Sequence, residues 1–287
     1  MRILITGSAG QLGTEFRRAL ESTQHEVRGV DLDTCDIGDR DQTLGLITGF
    51  SPELILHGAA YTAVDRCEVD PEGAYRANAL ATRFVADGAR RVGAHVVYVS
   101  TDYVFDGEKS TPYREWDAPN PQSVYGFSKL AGEREIDPEW TIARTSWVCS
   151  AHGNNMVKTV LRLGAEHDRL TFVDDQVGHP TFASDLADKL VQLGISRVPG
   201  IHHVTNSGAV SWCEFAQSIL AAAGMDPSKV HPVSTEEFMS ARPADAPPMA
   251  KRPTNSVLEN FALRVSGLGE LRDYHAPLAE VVAALTL

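Results

Sequence analysis

Cysteine is scarce and scattered in this 287-residue chain: Cys35, Cys67, Cys149 and Cys213 form no CxxC pair. That spacing argues against a disulfide framework or a zinc site and leaves free thiols. Basic residues are few as well, 26 Lys and Arg against 38 Asp and Glu, and the net charge of -12 has the wrong sign for a protein that covers nucleic-acid phosphates over a broad face. No apolar run approaches the ~18 residues of a membrane span. The N-terminus passes from Met1 and Arg2 straight into a short apolar strand, without a signal-peptide layout, and there is no internal repeat or low-complexity tract. The expectation is a cytoplasmic globular protein with neither a nucleic-acid nor a membrane partner. At 43% hydrophobic residues, a chain this long buries enough surface to fold without a disulfide or a structural metal.

What is present is a rhythm. The β-rich runs RILIT, HEVRGV, ELILHGAA and HVVYVST alternate with segments of helical period near 11–21, 39–50 and 72–93. Such βαβα order requires parallel strands with right-handed crossovers, an α/β fold with a doubly wound sheet of Rossmann type. Residues 103–122, carrying Gly107, Pro112, Pro119 and Pro121, break the rhythm and read as a long loop at a strand end, where function concentrates. A helix over 123–136 and a strand in TIARTSWV resume it. Beyond Cys149, helices are expected over 155–166, 183–193 and 212–223, with a strand in LTFVDDQ. The domain expectation is a dinucleotide-binding unit over 1–148 and, over 149–287, a smaller, mainly substrate-binding lobe interleaved with segments that return to the sheet.

ILITGSAGQLG places Gly7, Gly10 and Gly13 between the first strand and the first helix. Glycines there allow a tight bend and a close backbone approach, and the helix N-terminus offers free N–H groups to a pyrophosphate. Asp31 follows at the end of the second strand, where a carboxylate accepts from adenosine ribose hydroxyls. A glycine triplet alone is a weak signal; strand, turn, helix and acid in this order are a strong one.

The fourth strand ends in Ser100, Thr101 and Asp102, at the sheet edge where parallel folds bind ligands. Tyr125 and Lys129, in YGFSK, stand four apart and share a helix face. A neighbouring ammonium and a positive nicotinamide favour the phenolate, which makes Tyr125 a workable acid and base. Taken alone, such a pair is more often a half-buried Tyr beside a surface Lys. Trp147 alone is likewise more often core than ligand.

GxxGxxG, the strand-end Ser-Thr and YxxxK together resemble the extended short-chain dehydrogenase/reductase superfamily. Within it, AAYTAVDRCEVDPEGAYRANA, STDYVFDG, YGFSKLAGE, RTSWV, GNN, DQVGHPT and KRPTNS, in that order, resemble the dTDP-4-dehydrorhamnose reductase family from Met1 to the C-terminus. The resemblance implies NADH- or NADPH-dependent reduction of the 4-keto group of a dTDP-4-dehydro-6-deoxyhexose, giving dTDP-L-rhamnose in the simplest case. It makes Tyr125 the proton donor, Lys129 the ribose-holding cation that depresses the tyrosine pKa, and Thr101 a hydrogen-bond partner of the reacting carbonyl. Cofactor contacts fall on Gly10, Gln11, Leu12, Asp31, Asp36, Ile37, Ala60, Tyr61 and Thr62, beside Gly7 and Gly13. Substrate contacts fall on Thr101, Asp102, Tyr103 and Trp147, with Val64 nearby.

Other residues keep two readings. Asn154 and Asn155 cap a helix or bind substrate, and Lys251 and Arg252 grip a diphosphate or form an exposed pair. Some family members bind Mg2+ between subunits. Glu15 matches one such position, but Ser184 and the neighbourhood of Ala284 replace further carboxylates, so no metal is expected. Asp31, Leu32 and Asp33 offer no base to a ribose phosphate, which favours NADH. The expected partners are a nucleotide-sugar substrate and, in a homodimer, a second copy. Two alternatives stand beside this reading: a 4-ketoreductase of another nucleotide-deoxysugar, and a non-catalytic nucleotide-binding subunit such as the family's methionine adenosyltransferase partner. A dehydratase is disfavoured, because Asp102 is followed by Tyr103 rather than by Glu.

Overall fold

The structure is a computed structural model describing residues 1–243 and 245–286. Strand β1 (Arg2–Thr6) leads into α1 (Gln11–Leu20), and β2 (Glu26–Val30) into α2 (Arg40–Phe50). From β3 (Leu54–His57) the chain crosses over through α3 (Val64–Val69), α4 (Pro71–Tyr75), a π-helical turn at Arg76–Leu80 and α5 (Ala81–Val92). β4 (His95–Thr101), the long loop, α6 (Val124–Glu133) and β5 (Thr141–Thr145) complete the first half. The single helix expected over 72–93 is regular at both ends and interrupted by the π turn between them. Asp70 caps α4 by accepting from the Gly73 N–H, Pro71 takes its first helical position, and the π turn then widens the helix around the buried Asn78.

The second half contains β6 (Val148–Cys149), α7 (Met156–Glu166), β7 (Leu170–Val173), β8 (Val177–Gly178), β9 (Thr181–Phe182), α8 (Ala183–Ile195), β10 (Gly200–His203), β11 (Val210–Ser211), α9 (Trp212–Ala222) and β12 (Val230–Val233). The central sheet has the order β10-β5-β4-β3-β1-β2, with every pairing parallel. Its strands read as continuous apolar runs because both faces are covered. Ile3 and Ile5 pack into the core under α1 and α8, while Leu4 packs into the core under α2 and α5. All three are fully buried, each burial worth about 1.5–3 kcal/mol. A third core joins α7, α9 and the helix His275–Thr286.

Two expected strands are shorter than their sequence patterns. TIARTSWV divides: β5 stops at Thr145, and Trp147 takes a left-handed backbone (φ 45°) before β6 pairs with β9. LTFVDDQ stops at Val173, because the next two carboxylates serve other segments: Asp174 accepts from the Ser211 hydroxyl and Asp175 from Thr235. Successive connections leave β1 in opposite directions, toward β2 and toward β3. The crevice therefore opens beyond the carboxyl ends of β1 and β3, beside the end of β4.

Candidate active site

The floor of the crevice is the turn from β1 to α1. Gly7 has φ 71°, in the left-handed region, and a Cβ there would meet the Ala59 backbone at 2.8 Å. A Cβ at Gly13 would fall 2.1 Å from the Gly7 carbonyl oxygen. Helix α1 starts at Gly10 with no capping side chain, so the N–H groups of Gln11, Leu12 and Gly13 have no partner within the helix. These features fit a dinucleotide: backbone comes close, no side chain intrudes, and donors await an anion. Asp31 stands at the rim with its carboxylate accepting from the N–H groups of Ala9 and Leu32 at 3.0 and 2.9 Å. Arg28 points away, over the Phe50 ring.

Neighbouring cofactor candidates are held by side chains. Asp36 accepts from Arg76 and from the Gly38 N–H, and Ile37 is buried with its carbonyl accepting from Thr43. The loop Ala60-Tyr61-Thr62 is fixed by Asn78, whose amide accepts from the Tyr61 N–H at 2.8 Å and donates to the Tyr61 carbonyl at 3.2 Å. The same amide donates to Ser128 on α6 at 2.9 Å. Asn78 was not singled out in the sequence; an Asn within an otherwise amphipathic helix was its only signal.

Above the turn lies the end of β4. The Thr101 hydroxyl donates to Asp102 Oδ1 at 3.0 Å and accepts from the Tyr103 N–H. Asp102 is buried with Oδ2 unpartnered, and burial pushes its carboxyl up to about 6. Ser123 caps α6, which turns Tyr125 and Lys129 inward. Burial pushes the Tyr125 phenol above its ordinary value. Lys129, whose expected role is to lower it, directs its amine at the strand. Lys129 Nζ donates to the Val99 carbonyl at 2.7 Å and sits 4.1 Å over the Tyr98 ring, and burial lowers its pKa to about 7. A protonated phenol is the form that reduction of a ketone requires.

On the far side, Trp147 is half-buried and stacked on Trp212, ring centroids 3.5 Å apart and planes 9° from parallel. A Cβ at Gly178 would strike both the Trp147 ring and Ser256, so this corner is tightly packed. Trp212 and Ser256 also went unnoticed in the sequence, since both come near Trp147 only through tertiary folding. Tyr103 packs edge-on against Tyr125, and Val64 belongs to the same small cluster. Arg252 is engaged by both oxygens of Asp65, and Lys251 lies exposed near Gln122. Asn155 caps α7 and donates to Gln11 Oε1 at 2.9 Å, so its amide is spent between α7 and α1. Glu15 faces Arg18 and His152, and no cluster of three or more potential metal ligands occurs among the described residues. Nor is any described helix long and apolar enough to cross a membrane.

The family model for the RmlD substrate binding domain matches residues 1–287. A dTDP-4-dehydrorhamnose reductase of Aggregatibacter actinomycetemcomitans is 40% identical over 268 residues, covering 90% of each chain. The chain belongs to the dTDP-4-dehydrorhamnose reductase family. Among solved members of this reductase family, one from Clostridium acetobutylicum shares 40% identity over the whole of both chains with a TM-score of 0.94. Another, from Bacillus anthracis and in complex with NADP, shares 37% over 98% of both with a TM-score of 0.92.

Proposed function

We propose that this chain reduces the 4-keto group of a dTDP-4-dehydro-6-deoxyhexose, in the simplest case dTDP-4-dehydro-L-rhamnose to dTDP-L-rhamnose. The observation that carries the proposal is the buried Tyr125, set on one helix face with Lys129 and packed edge-on against Tyr103 at the end of β4, above a phosphate turn that no side chain obstructs. The N–H groups of α1 and the fixed loop at Tyr61 hold the dinucleotide, and Lys129 reaches its ribose. When bound, the reduced nicotinamide supplies the hydride. Tyr125 gives its proton to the oxygen of the former carbonyl, a contribution worth about 10²–10⁴ in rate. Asp102 Oδ2, buried without a donor, accepts from a sugar hydroxyl beside the reacting carbon. The Trp147–Trp212 stack walls the sugar, and Arg252 exchanges Asp65 for the diphosphate. A second copy forming a homodimer and a cytoplasmic location belong to the same proposal.

The cofactor reading is NADH used at least as well as NADPH. Support comes from Asp31, whose carboxylate stands at the ribose rim with no base directed there; a phosphate beside it would be repelled. The deciding experiment for the whole reading is incubation with freshly made dTDP-4-keto-6-deoxyhexose and an epimerase, following NADH and NADPH loss and identifying the sugar formed. Binding of the dinucleotide without turnover would replace the reductase by a nucleotide-binding regulatory subunit.

A further inference from the structure

The helix that carries Tyr125 and Lys129 presents a third inward residue at the same spacing. Glu133, one turn beyond Lys129, is buried, and both of its carboxylate oxygens are engaged. Oε1 accepts from the Ser100 hydroxyl at 2.5 Å and from Arg144 Nε at 2.9 Å, and Oε2 accepts from Arg144 Nη2 at 2.7 Å. Arg144, on β5, is 2% exposed and lies over the Phe105 ring, and its Nη1 turns toward the Glu115 carbonyl in the loop after β4. A buried ion pair rarely improves stability over an apolar pair of equal volume. Its value here lies in what it holds.

Three consecutive residues of β4 meet three residues of α6. Lys129 donates to the Val99 carbonyl, Ser100 donates to Glu133, and Thr101 faces Tyr125. The helix cannot slide along the strand without breaking the Ser100–Glu133 bond, and that slide is the motion that would part Thr101 from Tyr125. Charge supplies a second constraint. Around the Lys129 amine lie Tyr98 of β4, His57 of β3, which burial holds neutral with a pKa of about 3, and Glu133 of its own helix. Asp102 and Tyr103 after β4 and Cys67 of α3 act on Tyr125, Glu68 of α3 binds the Val124 N–H at the helix start, and Arg76 of the π turn reaches out to Asp36. Among these described groups, Glu133 is the carboxylate that favours the ammonium.

We infer that Glu133, clamped by Ser100 and Arg144, is a positioning residue for the reduction: it fixes the register of Tyr125 against Thr101 and sets a negative charge one turn from the buried Lys129 amine. The inference rests on the roles given to Tyr125 and Lys129 above. Ser100→Ala removes the register contact and leaves both charges. In that variant kcat should fall about tenfold or more, as misplacement of reacting groups by a fraction of an ångström to an ångström does. Its cofactor Kd should stay within about twofold of wild type, and the Lys129 titration should be unchanged. Glu133→Gln combined with Arg144→Met removes the ion pair without stranding one charge. The Lys129 ε-carbon chemical shift, followed with pH in the cofactor-free protein, should then titrate about one unit below its wild-type midpoint. The basic limb of kcat/KM should move down with it, because the cation is lost as pH rises through a lower pKa. Wild-type kcat in Ser100→Ala, or an unchanged Lys129 midpoint in the double variant, overturns the inference. If the double variant does not fold, Glu133→Asp keeps the charge and shortens the reach; kcat should fall as in Ser100→Ala with the Lys129 midpoint kept, and wild-type kcat would again refute it. Tyr125→Phe assayed alongside separates the two readings, since full activity there would remove the proposed function itself.

Discussion

Replacing Gly13 with alanine puts a methyl carbon 2.1 Å from the Gly7 carbonyl oxygen and 2.6 Å from Ser8 Cα. Both neighbours are backbone, and ordinary contact begins near 3.4 Å, so α1 and the turn must separate by about 1.3 Å. Overpacking of that kind costs about 1–3 kcal/mol, which at this chain length lowers Tm by roughly 2–5 °C. Gly10 is different. A Cβ there meets only the Gly7 oxygen, at 3.3 Å, and the backbone (φ -73°, ψ 174°) is extended, open to any residue. Gly10→Ala should therefore cost no more than about 1 kcal/mol as a poorer helix cap, while its methyl occupies the space through which a pyrophosphate approaches the helix.

Thermal melts with and without NADH or NADPH separate the two effects. At a cofactor concentration of 100 Kd, the wild-type protein gains about 2.7 kcal/mol; a tenfold weaker Kd leaves about 1.4 kcal/mol. Gly10→Ala should melt close to wild type alone and lose at least half of the cofactor-induced gain. Gly13→Ala should melt low in both conditions. Equal losses of Tm in the two variants without cofactor would refute the packing argument, and a full cofactor gain in Gly10→Ala would show that the turn is not the phosphate cradle.

Tyr125→Phe should leave cofactor affinity nearly intact and lower turnover by ~100-fold or more; near-normal kcat would remove the proton-donor role. Trp212→Ala should raise the substrate KM with little change in cofactor Kd, because it takes away the ring that backs Trp147; unchanged kinetics with a lowered Tm would make the stack purely structural. Asp31→Ala should shift the kcat/KM ratio toward NADPH, and a wild-type enzyme strongly selective for NADPH contradicts the reading of that carboxylate. Asp102→Asn carries a pH signature. A carboxyl raised to about 6 binds its proton more tightly in the folded protein than in the unfolded chain, so its ionisation costs stability above about pH 6 and nothing below about pH 4. The variant should thus be more stable by up to roughly 3 kcal/mol in urea unfolding at pH 8, a gain that fades as pH falls through 6, while kcat/KM drops; a less stable variant at pH 8 contradicts it.

Local patterns carried much of this molecule. The glycine turn was readable because three glycines, a strand and a helix lie within a dozen residues, and the Tyr125–Lys129 face follows from helical spacing alone. Features made by contacts across the chain were hidden. Trp147 looked like the continuation of a strand, since the left-handed residue that ends it is a tryptophan and carries no glycine signal. Trp212 reaches it from 65 positions downstream. The π turn at Arg76–Leu80 depends on Asn78 finding Tyr61 and Ser128, partners that no window of sequence contains. The burial of the Tyr125 phenol and the direction of the Lys129 amine, toward the Val99 carbonyl, were also beyond helical spacing.

The placing of β10 has a consequence for how the protein is made. Its residues, Gly200–His203, pair with β5 at one edge of the sheet, and α8 supplies much of the cover over β3, β4 and β5. During synthesis, a sheet begun at Arg2 waits for some two hundred residues before its last strand leaves the ribosome. Until then β5 offers an unpaired edge, and Leu54, Leu56 and Val97 lack the helix that shields them, the combination that invites pairing with other chains. An N-terminal half produced by itself should aggregate through that edge, and a circular permutant that brings α8 and β10 ahead of β1 should leave the ribosome with its cover already made.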